Sequence, residues 1–173
     1  MLTVMMECRD QEPELAQTLA VLVAGAVEGL VSDVIVLDHG SSDGSSRVAD
    51  AAGCRFYTIW DLKDVVAAAR GDWLLLIEAG ARPLNGWVDE IGEYMALNRV
   101  PARFSPSRLH RRPFYKRLVH RASVLESGLL LPKKQALSAI GSNMALGELA
   151  LGHKPKRLIS ELVPSWVARQ ARA

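Results

Sequence analysis

This sequence predicts a three-layer α/β fold, with a mainly parallel sheet flanked by helices. Three observations lead there. Over residues 1–100 short apolar runs alternate with amphipathic runs of helical length, and parallel neighbours in a sheet need such crossover connections. Residues 34–37 and 73–77 are almost uninterrupted hydrophobics, as strands covered on both faces are. The chain has 173 residues, 49% hydrophobic and 23% charged, which suffices for one good core and falls short of two.

The elements follow in order. Residues 2–6 read as a strand, and a helix follows over about 13–30, with Pro13 in its first turn. Leu15, Leu19, Leu22 and Val23 recur there at helical spacing. Residues 33–38, Asp-Val-Ile-Val-Leu-Asp, carry a buried-strand signal, and the polar turn His39–Gly44 leads into a helix reaching about residue 52. Ser42 or Asp43 can cap that helix, because a short side-chain oxygen accepts from the orphan amides of the first turn. Residues 54–58 read as a third strand and 61–70, rich in Ala and Val, as a helix. The strongest strand is 73–77, closed by Glu78; a turn over 80–83 then opens a helix over about 86–98 with Trp87, Ile91 and Met95 on one face. Beyond residue 100 the pattern loosens into a basic helix over 113–121, a strand over 128–131, helices over 132–140 and 145–151, and an amphipathic helix over 158–168 broken at Pro164.

Charge is unevenly spread. The net charge is only +2, yet no Asp or Glu occurs between Glu93 and Glu126, a stretch holding Arg99, Arg103, Arg108, Arg111, Arg112, Lys116, Arg117 and Arg121. Such a run is ordinarily a solvated face, and it can also meet a diphosphate, anionic lipid or nucleic acid. Phe104, Phe114 and Tyr115 do not form an RNA-binding signature, so no nucleic acid is expected. Cys8 and Cys54 lack metal-type spacing. The amino terminus lacks a basic segment, and the apolar stretch 15–31 is interrupted by Gln17, Gly25, Glu28 and Gly29. Neither a signal peptide nor a membrane span is expected. The expected location is cytoplasmic, with peripheral contact at the inner face of the membrane open to the basic stretch.

Ligands of open parallel sheets collect outside the carboxyl ends of the strands, where two strands end in an acid, Asp38 and Glu78. From pattern alone Asp38 is either a nucleotide-binding carboxylate or a plain strand end beside a tight Gly40 turn.

Four segments then carry a resemblance. Residues 34–50, Val-Ile-Val-Leu-Asp-His-Gly-Ser-Ser-Asp-Gly-Ser followed by helix, resemble the family-2 glycosyltransferase pattern V-I-V-V-D-x-G-S-x-D-G-T. Residues 70–78, Arg-Gly-Asp-Trp-Leu-Leu-Leu-Ile-Glu, resemble its A-R-G-D-W-L-L-F-L-D-A-D segment. Cys8–Glu12 with Leu15, and Gly128–Gly141, resemble its opening P-x-x-N/D-E-E-x-x-L and its later G-x-x-F-R-R-x-x-F-x-x-x-G-G. The resemblance implies one domain of the GT-A type over 1–173, with 1–98 the nucleotide-binding half and 99–173 a shorter acceptor-side half. It implies a nucleotide-diphosphate sugar donor, uridine-type, and an unknown acceptor hydroxyl. Asp38 would contact base or ribose, Glu7, Arg9 and Asp10 would flank the nucleotide, and Glu78 would lie beside ribose and diphosphate. Glu148 would be the base, and Arg111, Arg112 and Lys116 would offer charge to the diphosphate.

Three departures accompany it, the first being Glu7 in place of the opening motif's proline. The resemblance implies Mn2+ or Mg2+, but the usual metal ligand of D-x-D is replaced by Gly80, leaving Glu78 as the only candidate. If the protein is an inactive relative, an aspartate at position 80 would restore metal binding without restoring turnover. The acidic pair expected after the Gly-Gly element is reduced to Glu148, with Gly147 before it. The alternative expectation is therefore a catalytically inactive binding or regulatory protein on the same fold, or a binder of anionic partners through residues 99–121.

Overall fold

A computed structural model describes residues 1–110 and 123–171. Eight strands form one sheet in the order β3-β2-β1-β4-β7-β6-β8-β5. The four strands expected over residues 1–100, β1 (Leu2–Cys8), β2 (Val31–Asp38), β3 (Arg55–Tyr57) and β4 (Trp73–Leu76), lie side by side and parallel. The other half is mixed. β7 (Leu129–Pro132) runs antiparallel to β4 and to β6 (Ala102–Pro106), β6 is parallel to β8 (Lys156–Val163), and β5 (Arg82–Pro83) closes the edge antiparallel to β8.

Helices cover both faces. On one, α1 (Glu12–Val27), α2 (Ser45–Ala51) and α4 (Trp87–Leu97) bury Leu15, Leu19, Ala49, Trp87 and Ile91 against Val4, Met6, Val36 and Leu75. On the other, α3 (Leu62–Ala68), α5 (Lys133–Ala139) and α6 (Leu146–Leu149) bury Val65, Val66, Ala136 and Leu149 against Met5, Ile35, Leu74 and Leu76. Successive strand residues thus enter opposite cores, which is why these runs are continuously apolar.

One expected helix is a strand. Residues 158–168 divide into the end of β8 and α7 (Ser165–Gln170), with Pro164 between them in an extended conformation, ψ 153°. Leu158 and Leu162 are buried and Ile159 is exposed. Their four-residue spacing fits a helical turn and the two-residue period of a strand alike, so the spacing misleads. Carboxylate oxygens of Glu90 in α4 accept from Ile159 N at 2.6 Å and Ser160 N at 2.7 Å, satisfying β8 amides that the ladder leaves unpaired. β6 carries a two-residue alternation, Ala102 and Phe104 buried with Arg103 exposed between them, that the sequence reading passed over. The expected helix over 113–121 lies outside the described residues. Among those described, no helix is long and apolar enough to cross a membrane.

Candidate functional site

Because β1, β2 and β4 are parallel, their carboxyl ends open on one side of the sheet, and the loops after β1 and β2 are clasped together there. Asp10 N donates to Ser41 Oγ at 2.9 Å, and Ser42 N donates back to Asp10 Oδ1 at 2.7 Å. Glu12 N donates to Asp43 Oδ2 and Gly44 N to Glu12 Oε2, both at 2.9 Å. Short acceptor side chains therefore satisfy the exposed amides of two helix-starting loops across the gap between them. Asp10 adopts a left-handed conformation, φ 50°, to face its partner loop.

Asp38 is the anchor of this clasp. Its carboxylate, 4% exposed, accepts from Gly40 N at 3.1 Å, Ser41 N at 3.0 Å, the Ser41 hydroxyl and the Cys8 thiol. Burial alone would raise its pKa, but the hydrogen bonds from Ser41, Cys8 and Gly40 to the ionised form outweigh burial and hold it below the ordinary value. Beside it, burial and the Asp38 charge push the Cys8 thiol up to about 12, which leaves it an unreactive packed residue.

A cleft of about 300 Å³ lies against these strand ends, with Glu7, Arg9, His39, Glu78, Ser165 and Arg169 on its wall. Glu7 Oε1 accepts from Leu146 N at 2.9 Å, and its Oε2 lies 3.7 Å from His39 Nε2. His39 is held edge-on against Trp60, ring centroids 5.5 Å apart. Glu78 accepts from the Ser165 hydroxyl and lies 3.8 Å from Arg169 Nη2. Asp10 and Asp38 are held in the clasp between the two loops and do not line the cleft. Glu148 is exposed, and its Oε2 accepts from Ala145 N at 3.0 Å, capping the start of α6, while Gly147 reaches the wall. Arg111, Arg112 and Lys116 lie outside the described residues.

Sequence reasoning missed Ser165 and Arg169. β8 brings them back across the sheet to Glu78, and a misread β8 conceals that return.

The donor set does not fit a divalent ion held by the protein. Glu78 already has a hydroxyl donor and a guanidinium beside it. Gly80 has φ +96°, its N donates to Thr18 Oγ1 at 2.8 Å, and a Cβ there would point at Ala168, Ser165 and Glu14. The expectation that aspartate at 80 would restore metal binding is thereby corrected, since that position faces α1 and α7. Among the described residues no group of three or more His, Cys, Asp or Glu is arranged to hold a metal.

A second cavity of about 780 Å³ adjoins the cleft at Ser123, on the mixed half of the sheet. Arg103, Arg157, His110 and His153 line it together with Glu126.

No protein-family model and no curated protein matches this chain. Solved structures do. Glucosyl-3-phosphoglycerate synthase from Mycobacterium tuberculosis, solved with phosphoglyceric acid, is 18% identical, with a TM-score of 0.57 over 78% of this chain and 57% of its own. The same enzyme solved with Mn2+, uridine diphosphate and glucosyl-3-phosphoglycerate aligns over 94% of this chain and 71% of its own, at 16% identity and a TM-score of 0.61. Its fold is that of a GT-A glycosyltransferase. Mannosyl-3-phosphoglycerate synthase from Rubrobacter xylanophilus shares it, at 17% identity and a TM-score of 0.58 over 78% of this chain and 54% of its own. At these identities the likeness is one of GT-A fold. The chain spans little more than half the length of the first and third of these structures.

Proposed function

We propose that the cleft binds a nucleotide-diphosphate sugar of uridine type, and that the adjoining cavity takes the acceptor to which the sugar is transferred. The observation that carries this reading is the position of the cleft, at the carboxyl ends of β1, β2 and β4 in a GT-A fold. Similar structures solved with uridine diphosphate or its glucose conjugate support it.

Asp38 acts through the loops it shapes, with Asp10 locking them, and Arg9 lines the side where the nucleotide would lie. In the transfer, an acceptor hydroxyl oxygen bonds to the anomeric carbon as the bond from that carbon to the diphosphate oxygen breaks. The electron pair leaves with the nucleoside diphosphate, and the hydroxyl proton passes to a carboxylate. Glu7 is the stronger candidate for that base, because it lines the cleft. Each glutamate also accepts from a backbone amide, Glu7 from Leu146 N and Glu148 from Ala145 N, so the place of Glu7 on the cleft wall is what separates them. Two arginines and two histidines in the adjoining cavity suit an acceptor bearing phosphate or carboxylate.

Donor hydrolysis and transfer assays across uridine and guanosine diphosphate sugars, with phosphorylated hydroxy acids as acceptors, test this. Glu7→Gln should lower kcat by about 10²- to 10⁴-fold with little change in KM, as loss of a general base does, while Glu148→Gln changes kcat far less. A wild-type protein that binds uridine diphosphate yet transfers and hydrolyses nothing would instead support an inactive binding protein. The engagement of Glu78 by Ser165 and Arg169 favours that second reading.

A further inference from the structure

The residue that withholds the metal ligand and a residue that brings a cation belong to one packing arrangement. Gly80 turns the chain after β4 with φ +96°. A Cβ at this position would lie 3.1 Å from Ala168 Cβ, 3.1 Å from Ser165 O and 3.3 Å from Glu14 Cβ. Thus α7 sits directly on the bare face of the glycine, and Ala168 is buried there. The next residue, Arg169, is carried to the cleft wall. Its Nη2 donates to Ser165 Oγ at 2.6 Å and lies 3.8 Å from Glu78 Oε2, while Ser165 Oγ itself donates to Glu78. A side chain at position 80 would press on α7, the helix that carries the arginine.

Resting on the reading of the cleft as a donor site, we propose that Arg169 meets the diphosphate charge there, in the place a divalent cation would otherwise take. The guanidinium is charged at every working pH and matches phosphate oxygens with a planar fork of N–H donors. Its side chain is 52% exposed, so it is open to a ligand. Glu78 and Ser165 hold it from behind and fix its direction before the ligand arrives, which lowers the cost of ordering a long side chain on binding. Arg9 lines the same cleft and adds to the attraction for an anion. A dication beside Glu78 would instead face the guanidinium, and the like charges repel.

Calorimetric titration of the full chain with uridine diphosphate and uridine monophosphate, in chelator and in MnCl2, tests the proposal. The wild type should bind the diphosphate in chelator, at least ten times more tightly than the monophosphate, and MnCl2 should change that affinity by less than about threefold. Arg169→Ala should weaken the diphosphate about 10- to 100-fold, the loss of a charge-assisted hydrogen-bonding group, and leave the monophosphate within twofold. Arg169→Lys should recover part of the loss, and its retained stem keeps α7 packed if the alanine variant unfolds. Diphosphate binding that vanishes in chelator would overturn the proposal while leaving the donor site intact. So would an Arg169→Ala protein, or an Arg169→Gln protein where the alanine variant unfolds, with an unchanged preference for diphosphate over monophosphate. Failure of the wild type to bind either nucleotide in either condition would remove the donor site itself, and this role with it.

Discussion

Gly80→Asp will destabilise the protein by about 3–5 kcal/mol and will not create a metal site, although it rebuilds the D-x-D spelling. Three costs combine. A side chain at φ +96° adopts a backbone conformation that only glycine holds without strain, costing about 1–3 kcal/mol. Its Cβ then presses at 3.1 Å on both Ala168 and the Ser165 carbonyl, in a layer already closed. The carboxylate would be driven between α1 and α7, beside the buried Glu14, where a second negative charge is poorly solvated. Urea unfolding monitored by circular dichroism gives the first number, and the electron paramagnetic resonance of Mn2+ gives the second. Near wild-type stability together with a new micromolar Mn2+ site would show that position 80 faces the cleft after all.

The other large effect is expected at Asp38. Asp38→Ala removes the acceptor for the Gly40 and Ser41 amides and for the Ser41 hydroxyl, so two loops lose the group that organises them. About 2–4 kcal/mol of stability should go with it, from several hydrogen bonds at about 1 kcal/mol each and donors left unpaired. Nucleotide affinity should fall as well, since Arg9 and Glu7 sit on the strand and loop that this clasp holds. The wild type should carry a matching acid signature. Asp38 has its folded pKa below the ordinary aspartate value, so its contribution is complete above about pH 4, the unfolded value, and is lost as pH falls through the lowered folded value. In the Asp38→Asn protein, stability should vary less over that acid interval. Urea midpoints measured across it decide the matter; coincident pH profiles would mean that the clasp does not depend on this charge.

These two positions also show how far the sequence alone reaches. The parallel half of the sheet was legible because the central residues of β1, β2 and β4 enter both cores and are almost uninterruptedly apolar. Asp38 was open to two readings from its pattern, a strand-ending acid before a glycine turn, and it was the resemblance over residues 34–50 that singled it out. What its oxygens do was not legible, because accepting from Ser41 and Cys8 needs a turn geometry that spelling does not contain. Gly80 read as a missing ligand, whereas in the fold it is the seat of α7. The mixed half was harder still. Leu158 and Leu162 obey two periods at once, and β5 exists only through its pairing with β8. Arg169 could not be found from sequence, since its closeness to Glu78 depends on that pairing.

A crystal soaked with uridine diphosphate in a metal-free buffer is the most direct test of the donor cleft. The nucleotide is expected at the carboxyl ends of β1, β2 and β4, its diphosphate within hydrogen-bonding distance of Arg169 and its uridine on the side of Arg9, with the Asp38 carboxylate still bound to Ser41. A crystal in which saturating nucleotide leaves the cleft empty, or occupies only the cavity lined by Arg103 and Arg157, would contradict that expectation.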